Sequence, residues 1–181
     1  MTESSRPPTA SVGTTSTGAQ PFDKRRMSLL WAVQSHAADI ARLHAQLFPS
    51  AWDEASVARL LAHPGSVALV AAQGNPSEVG GFALAQIAAD EAEILTLGVT
   101  EGWRRQGVGQ QLVGGIVRAA GRAGANALFL EVAASNAAAR ALYARAGFAE
   151  AGRRIGYYQR QGAAAEDAIV LKIDLPAAAA T

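Results

Sequence analysis

The chain has 181 residues, of which 16 are basic and 15 acidic, so its formal net charge is only +1. This balance excludes a surface dominated by one sign of charge, and we expect no nucleic-acid partner and no membrane partner. The absence of cysteine excludes disulfides and thiolate metal ligands.

The histidines are the other candidates for metal ligands. His36, His44 and His63 have no partner carboxylate at ligand spacing, so we expect no metal and place His36 and His44 on a solvated helix surface. The sequence also contains no apolar run of about 18 residues and no apolar segment typical of a secretion signal. We therefore expect a cytoplasmic protein.

The composition changes near residue 27. Residues 1–26 are rich in Ser, Thr, Pro and Gly, which predicts a disordered N-terminal tail. An alternative is that the native chain starts at Met27. We expect one folded domain over residues 27–176 and a flexible C-terminal end over residues 177–181.

Apolar patterning predicts the order strand, two helices, three strands, helix, strand, helix and two strands. We expect Ser35 and Asp53 to cap the first two helices. In the fourth strand, Ile94, Thr96 and Gly98 alternate with their neighbours and are expected to share a face. The predicted bounds are strands at 28–33, 66–72, 78–87, 91–99, 127–132, 148–154 and 167–175, with later helices at 107–123 and 136–146. The central strand–helix–strand passage implies a parallel pair in a mixed α/β domain.

A glycine-rich loop joins the strand that ends at Val99 to the next helix. The loop and the first helical turn contain Arg104, Arg105, Gln106, Gly107, Val108, Gly109 and Gln110. Glycines let main-chain N–H groups approach an anion, and a helix N-terminus adds about half a positive charge there. The pattern favours a pyrophosphate site; the alternative is a turn that only starts a helix, with Arg104 or Arg105 solvated.

Two segments carry a resemblance to a known family. RRQGVGQQL at 104–112 resembles the coenzyme A signature of the GNAT N-acetyltransferase superfamily, and LEVAASNAAARALYARAGF at 130–148 is similar to its second half. Within that superfamily the chain most resembles the bacterial ribosomal-protein-alanine N-acetyltransferases, the RimI type. The resemblance implies a GNAT fold, in which about four helices flank a mostly antiparallel sheet with a central, splayed parallel strand pair.

The resemblance also implies roles for particular residues. Backbone groups of Leu97, Gly98 and Val99 would bind the pantetheine arm and acetyl carbonyl of acetyl-CoA. The main-chain amides of residues 105–110 would hold its pyrophosphate. Asn136 would hydrogen-bond the coenzyme. Glu131 would be the general base and Tyr143 the general acid.

The residue types and their positions also allow other roles for Glu131, Tyr143 and Asn136. Glu131 stands in the apolar strand FLEV, where a carboxylate is costly unless it is used or paired, for instance with Arg140. Tyr143 follows Leu142, so we expect it to turn away from the buried side of its helix; it could instead be a packed aromatic. Asn136 could be a helix N-cap, alone or in addition.

The pKa of an amine determines how well it suits a glutamate as the general base. An α-amino group has a pKa near about 8 and lysine near about 10.4, so a glutamate base suits the α-amine better. Phe48, Trp52, Tyr157 and Tyr158 could line a slot for an extended peptide. We predict acetylation of an Ala-starting protein N-terminus, with a small-subunit ribosomal protein implied by the resemblance. Alternatives are a small-molecule amine acetyltransferase and a non-catalytic acetyl-CoA-binding module. The sequence leaves open whether the protein is a monomer or a dimer.

Overall fold

A computed structural model describes residues 21–74, 77–158 and 165–176. Its strands and helices follow one another in the predicted order. They are β1 (Met27–Trp31), α1 (Ala37–Leu47), α2 (Glu54–Ala62), β2 (Ser66–Gln73), β3 (Glu78–Ala88), β4 (Glu91–Val99), α3 (Val108–Arg122), β5 (Ala127–Ala133), α4 (Ala137–Arg145), β6 (Ala149–Tyr158) and β7 (Glu166–Asp174). Within these residues no helix is long and apolar enough to span a bilayer.

The strands form one sheet in the order β1-β2-β3-β4-β5-β7-β6. Neighbouring strands pair antiparallel except β4 and β5, which run parallel. Two parallel neighbours need a crossover connection, and α3 supplies it. The predicted mixed, mostly antiparallel sheet with a central parallel pair is thus confirmed.

Helices cover both faces of the central strands. On one face, Leu112 and Ile116 of α3 pack in a cluster with alternate residues of β2, β3 and β5. On the other face, Ile40 of α1 and Val57 of α2 pack with Phe82 of β3 and its neighbours. Because α1 and α2 lie on β2, β3 and β4, side chains of β5 and β7 on that face stay partly accessible.

The helix starts show which capping predictions hold. Asp53 caps α2, since its Oδ1 accepts a hydrogen bond from Ser56 N at 2.7 Å. The prediction that Ser35 caps α1 is wrong, because residues 34–36 form a short 3₁₀ turn and α1 begins only after His36. The prediction of a solvated His44 is also wrong, because that side chain is buried.

The segment before β1 lies against the domain. Asp23 N donates to the Gln73 side-chain oxygen at 2.9 Å, and the Gln73 amide donates to Pro21 O at 3.1 Å. The Phe22 ring contacts the Trp103 ring, with 5.0 Å between centroids. The boundary at residue 27 stays a prediction, and the predicted features of residues 1–20 and 177–181 lie outside the described residues.

Candidate active site

The parallel strands β4 and β5 separate partway along their length. Their pairing runs from Glu91 opposite Ala127 to Ile94 opposite Leu130 and ends there. Beyond that point β4 stays paired with β3, while β5 stays paired with β7. An opening therefore lies between residues 95–99 of β4 and residues 131–133 of β5, as the predicted splay requires.

A β-bulge marks the point of separation. Ile94 lies opposite Ala85 and Thr96 opposite Leu84, so Leu95 is one extra residue in β4. A bulge inserts a residue without a partner, bends its strand and shifts the side-chain alternation. Ile94 consequently packs with the α3-side cluster, whereas Thr96 follows Leu84 to the α1 side. The prediction that these two residues share a face is wrong for this reason.

The residues predicted to bind the pantetheine arm line the β4 side of this opening. Gly98 is closely packed, since a Cβ there would lie 2.8 Å from the Leu47 side chain and 2.9 Å from Phe82. Val99 O accepts a hydrogen bond from Arg104 Nε at 3.0 Å, which holds the chain as it leaves β4. Leu97 is partly buried against the α3-side cluster. The strand can therefore offer main-chain groups along a wall that has no room for a side chain at Gly98.

The glycine-rich loop forms a main-chain concavity at the start of α3. Arg105 and Gly107 have φ values of 60° and 84°, and α3 begins at Val108. Alternating left- and right-handed residues turn successive N–H groups toward one point, and such nests bind anions. A Cβ on Gly107 would meet nothing within 4 Å, so the concavity is open. The segment from Arg104 to Arg122 also contains no acidic residue.

Glu131 is the first residue of β5 beyond the last residue paired with β4. Its Oε1 accepts a hydrogen bond from Arg154 Nη1 at 2.8 Å, and its side chain is 22% exposed. The same guanidinium lies 3.9 Å from the centre of the Tyr157 ring. Glu131 thus has an arginine partner, but that partner is Arg154; Arg140 donates to Ala134 O instead, at 3.2 Å.

Tyr143 is buried in α4, with only 7% of its surface exposed. The prediction that it turns away from the buried side of the helix is therefore wrong. Its ring packs edge-on against Phe148, with 5.7 Å between centroids. Burial, and secondarily the nearby Tyr158, raise the pKa of Tyr143 to about 12, so its hydroxyl keeps its proton at neutral pH.

Two further ionisable groups lie beside Glu131. Burial, followed by repulsion from Glu131, raises the pKa of Glu93, while Arg154 opposes that rise. Burial and Glu131 likewise raise the pKa of Tyr158. The sequence identifies Glu93 only as one member of an alternating strand. Glu93 lies opposite Phe129, and Phe129 is two residues before Glu131, so Glu93 and Glu131 are on the same face of the sheet. This placement depends on pairing between distant segments.

Asn136 occupies the N-cap of α4. Its Oδ1 accepts a hydrogen bond from Ala139 N at 3.1 Å, which confirms the capping alternative. Of the two side-chain polar groups, only the oxygen is used in the cap. The amide NH₂ group is therefore available for the predicted coenzyme contact.

An aromatic cluster lies between α1 and α2. The ring of His44 stacks on Phe48 and Trp52 at centroid distances of 4.4 and 4.8 Å, and its Nδ1 accepts from Trp52 N at 3.2 Å. Burial lowers the pKa of His44, which favours the neutral ring that this hydrogen bond needs. Phe48 and Trp52 follow Leu47, which borders Gly98, so the cluster adjoins the β4 side of the opening. The described residues include no group of three or more His, Asp or Glu side chains that could bind a metal.

Comparisons with known proteins agree with this geometry. The chain is 38% identical over 98 residues to the [ribosomal protein bS18]-alanine N-acetyltransferase of Escherichia coli K12; the alignment covers 54% of this chain and 66% of that protein, slightly under two thirds. The crystal structure of the E. coli ribosomal-protein-S18-alanine N-acetyltransferase superposes with a TM-score of 0.76 and 28% identity, covering 84% of this chain and 96% of that one.

A plant structure shares the fold at lower identity. Arabidopsis thaliana NAA60 in complex with acetyl-CoA superposes with a TM-score of 0.71 and 22% identity, covering 82% of this chain and 98% of that one. The model of the acetyltransferase (GNAT) family matches residues 37–148, which run from the start of α1 through α4 to Phe148. The chain therefore belongs to the acetyltransferase (GNAT) family.

Proposed function

We propose that this protein transfers the acetyl group of acetyl-CoA to the N-terminal α-amine of a protein by direct attack. One observation carries the proposal: the opening between β4 and β5 has the amide nest of α3 at one end and Glu131 at its edge. A diphosphate held at the nest and a thioester arm laid between the strands would bring the reacting carbonyl to that glutamate.

The coenzyme would be held mainly by main-chain groups. The amides of residues 105–110 would bind the pyrophosphate, and Asn136 would donate its side-chain NH₂ group. Residues 97–99 would bind the pantetheine amides and hold the acetyl carbonyl. In known enzymes, one hydrogen-bond donor to a developing oxyanion is worth about 2.7–4 kcal/mol. Acetyl-CoA supplies an activated thioester, and no metal is required.

Glu131 and Tyr143 would move the protons. Glu131 Oε1 is engaged by Arg154, which leaves Oε2 to accept the proton of the attacking amine. As the new C–N bond forms and the C–S bond breaks, the sulfur needs a proton, and the Tyr143 hydroxyl would donate it. A tyrosine with a pKa of about 12 remains a proton donor across the physiological range.

An α-amine is the acceptor that this site suits best. At neutral pH roughly one α-amine in ten is uncharged, against about one lysine in 2,500, as their ordinary pKa values require. Aromatic side chains would cover an extended peptide on the face of β5 and β7 that α1 and α2 leave accessible. They are Phe48, Trp52, Tyr157 and Tyr158. The E. coli relatives, whose names specify a ribosomal protein alanine, support an Ala-starting ribosomal protein and hence a cytoplasmic location.

Mass spectrometry of peptides incubated with acetyl-CoA tests the proposal. The set should contain an Ala-starting peptide with one internal lysine, the same peptide with a blocked N-terminus, and a panel of polyamines and aminoglycosides. We expect a gain of one acetyl group on the α-amine of the free peptide alone. Acetylation only of the small amines would instead establish a small-molecule acetyltransferase, and coenzyme binding without any transfer would establish a non-catalytic module.

A further inference from the structure

A surface cavity of about 460 Å³ runs along the outer side of α3. It begins at Gly107 and Gln110, within the amide nest, and continues past Gly114. Two cationic side chains line it, Lys24 from the segment before β1 and Arg118 from the third turn of α3. The cavity therefore extends the proposed pyrophosphate site along α3 to two positively charged side chains.

These two cations are not used elsewhere in the part of the chain that the structure describes. Neither Lys24 nor Arg118 makes an ion pair or a side-chain hydrogen bond there. The segment from Arg104 to Arg122 has no acidic residue that could compete for them. The N-terminal dipole of α3 adds positive potential at the same end of the cavity. Such a site favours an anion with more than one phosphate group.

The position of Arg118 sets the distance between the two anion-binding points. Its Nη1 atom lies 3.3 Å from the place where a Cβ of Gly114 would be, so the guanidinium reaches back along the helix. Gly114 is six residues beyond Val108, which corresponds to about 9 Å along the axis. The guanidinium thus lies less than two helical turns along α3 from the nest, a separation that a ribose with phosphates on both its 5′ and 3′ oxygens can span, and Gly114 leaves room for it.

Lys24 is placed by a fixed segment of chain. Asp23, its neighbour, is bound to Gln73 of β2, and Phe22 packs on Trp103 just before the loop. Because both anchors immediately precede Lys24, they fix the main chain at the point from which Lys24 lines the cavity on the outer face of α3. This residue lies outside the family match, which begins at residue 37.

We propose that Lys24 and Arg118 bind the 3′-phosphate on the nucleotide of the coenzyme. The inference rests on the proposed function and adds a second phosphate contact, supplied in part by the segment that precedes the domain. The 3′-phosphate is the one further anionic group of coenzyme A beyond the pyrophosphate. Its dianion suits two cations that have no ion-pair partner among the described residues.

Calorimetric titration with coenzyme A and with 3′-dephospho-coenzyme A tests this assignment on the full chain. We expect the wild type to bind coenzyme A roughly tenfold more tightly than the dephospho form. Lys24→Gln and Arg118→Gln should each weaken coenzyme A binding about three- to tenfold, a range typical of partly exposed charge-assisted contacts. Neither substitution should change the affinity for the dephospho form.

Arg122→Gln is the matched control, because Arg122 is an exposed arginine one turn further along α3 that does not line the cavity. Its affinities for both ligands should equal those of the wild type, and thermal melts should show that all variants fold. Equal affinity of the wild type for both ligands would overturn the inference and leave the proposed function standing. Absence of binding to either ligand would overturn both.

Discussion

The Glu131 carboxylate and the Arg154 guanidinium meet at 2.8 Å, although β7 lies between the strands that carry them. Arg154 also covers the Tyr157 ring. One side chain therefore links the proposed base to an aromatic residue that is proposed to cover the peptide substrate. The pair is partly exposed, and exposed pairs contribute little to stability. We therefore propose that the pair serves to orient Glu131, because the guanidinium holds one of its carboxylate oxygens.

Glu131→Gln tests the proton acceptor. The amide oxygen can still accept from Arg154, but the side chain can no longer take a proton from the amine. We expect kcat/KM for an Ala-starting peptide to fall about 10²–10⁴-fold, the usual effect of removing a positioned base. Glu150→Gln, which alters the exposed pair with Arg153, is the control and should retain full activity. An unchanged rate in Glu131→Gln would exclude this residue as the base and direct attention to Glu93.

Tyr143→Phe tests the proposed general acid, and we expect it also to change the pH dependence of stability. In the folded protein burial holds the pKa of Tyr143 near 12, above its ordinary value of 10. The unfolded chain therefore loses this proton first as pH rises, so the stabilisation is complete below pH 10 and is lost between pH 10 and 12. The difference corresponds to roughly 3 kcal/mol.

The phenylalanine variant should lack that part of the alkaline loss, which denaturant titrations of both proteins between pH 9 and pH 12 would measure. The packing against Phe148 is retained in the variant. At neutral pH we expect a rate reduction of about 10²-fold or more with little change in unfolding free energy. Parallel alkaline curves for the two proteins would contradict the burial of the hydroxyl.

The N-cap role of Asn136 and its proposed coenzyme contact can be separated by substitution. Asn136→Ala removes the cap of α4 and should cost about 0.5–2 kcal/mol of unfolding free energy, together with coenzyme affinity. Asn136→Ser keeps a capping oxygen but has no amide NH₂ group. We expect it to retain stability while binding acetyl-CoA more weakly. If the serine variant binds as the wild type does, the residue is a cap alone.

Gly107→Ala tests the nest at the start of α3. Alanine at a φ of 84° is strained by about 1–2 kcal/mol, and its Cβ would enter the open space next to the proposed pyrophosphate site. We expect coenzyme affinity to fall at least tenfold, measured by calorimetry. The matched control is Gly121→Ala, which lies within α3 and likewise has nothing within 4 Å of the new Cβ. It should gain about 0.4–1 kcal/mol in stability and bind normally.

Local signals in the sequence were sufficient for the order of elements and for the glycine-rich turn that starts α3. The glycines around Val108 and the capping residues Asp53 and Asn136 act on the chain within a few residues of themselves, so the helix starts that they form can be predicted from spacing. The central parallel pair also follows, because a strand–helix–strand passage leaves few other topologies.

Features set by distant pairing could not be predicted in this way. Arg154 lies 23 residues from Glu131 and reaches it only because β7 places β6 at a fixed register. Glu93 joins the same site through the pairing of β4 with β5. The sequence predicts His44 in solvent, but the ring packing of Phe48 and Trp52 buries it. Each depends on contacts that periodicity within one segment does not contain.

The extra residue at Leu95 has a structural consequence beyond the change of face. Without the bulge, β4 would continue to pair with β5. The main-chain hydrogen-bonding groups in the second half of β4 would then be satisfied within the sheet. The insertion instead leaves a row of peptide groups whose natural complement is another chain of amides, and the pantetheine arm is such a chain. The sheet therefore lacks a short strand segment between the ends of β4 and β5, and a bound molecule can take the place of that segment.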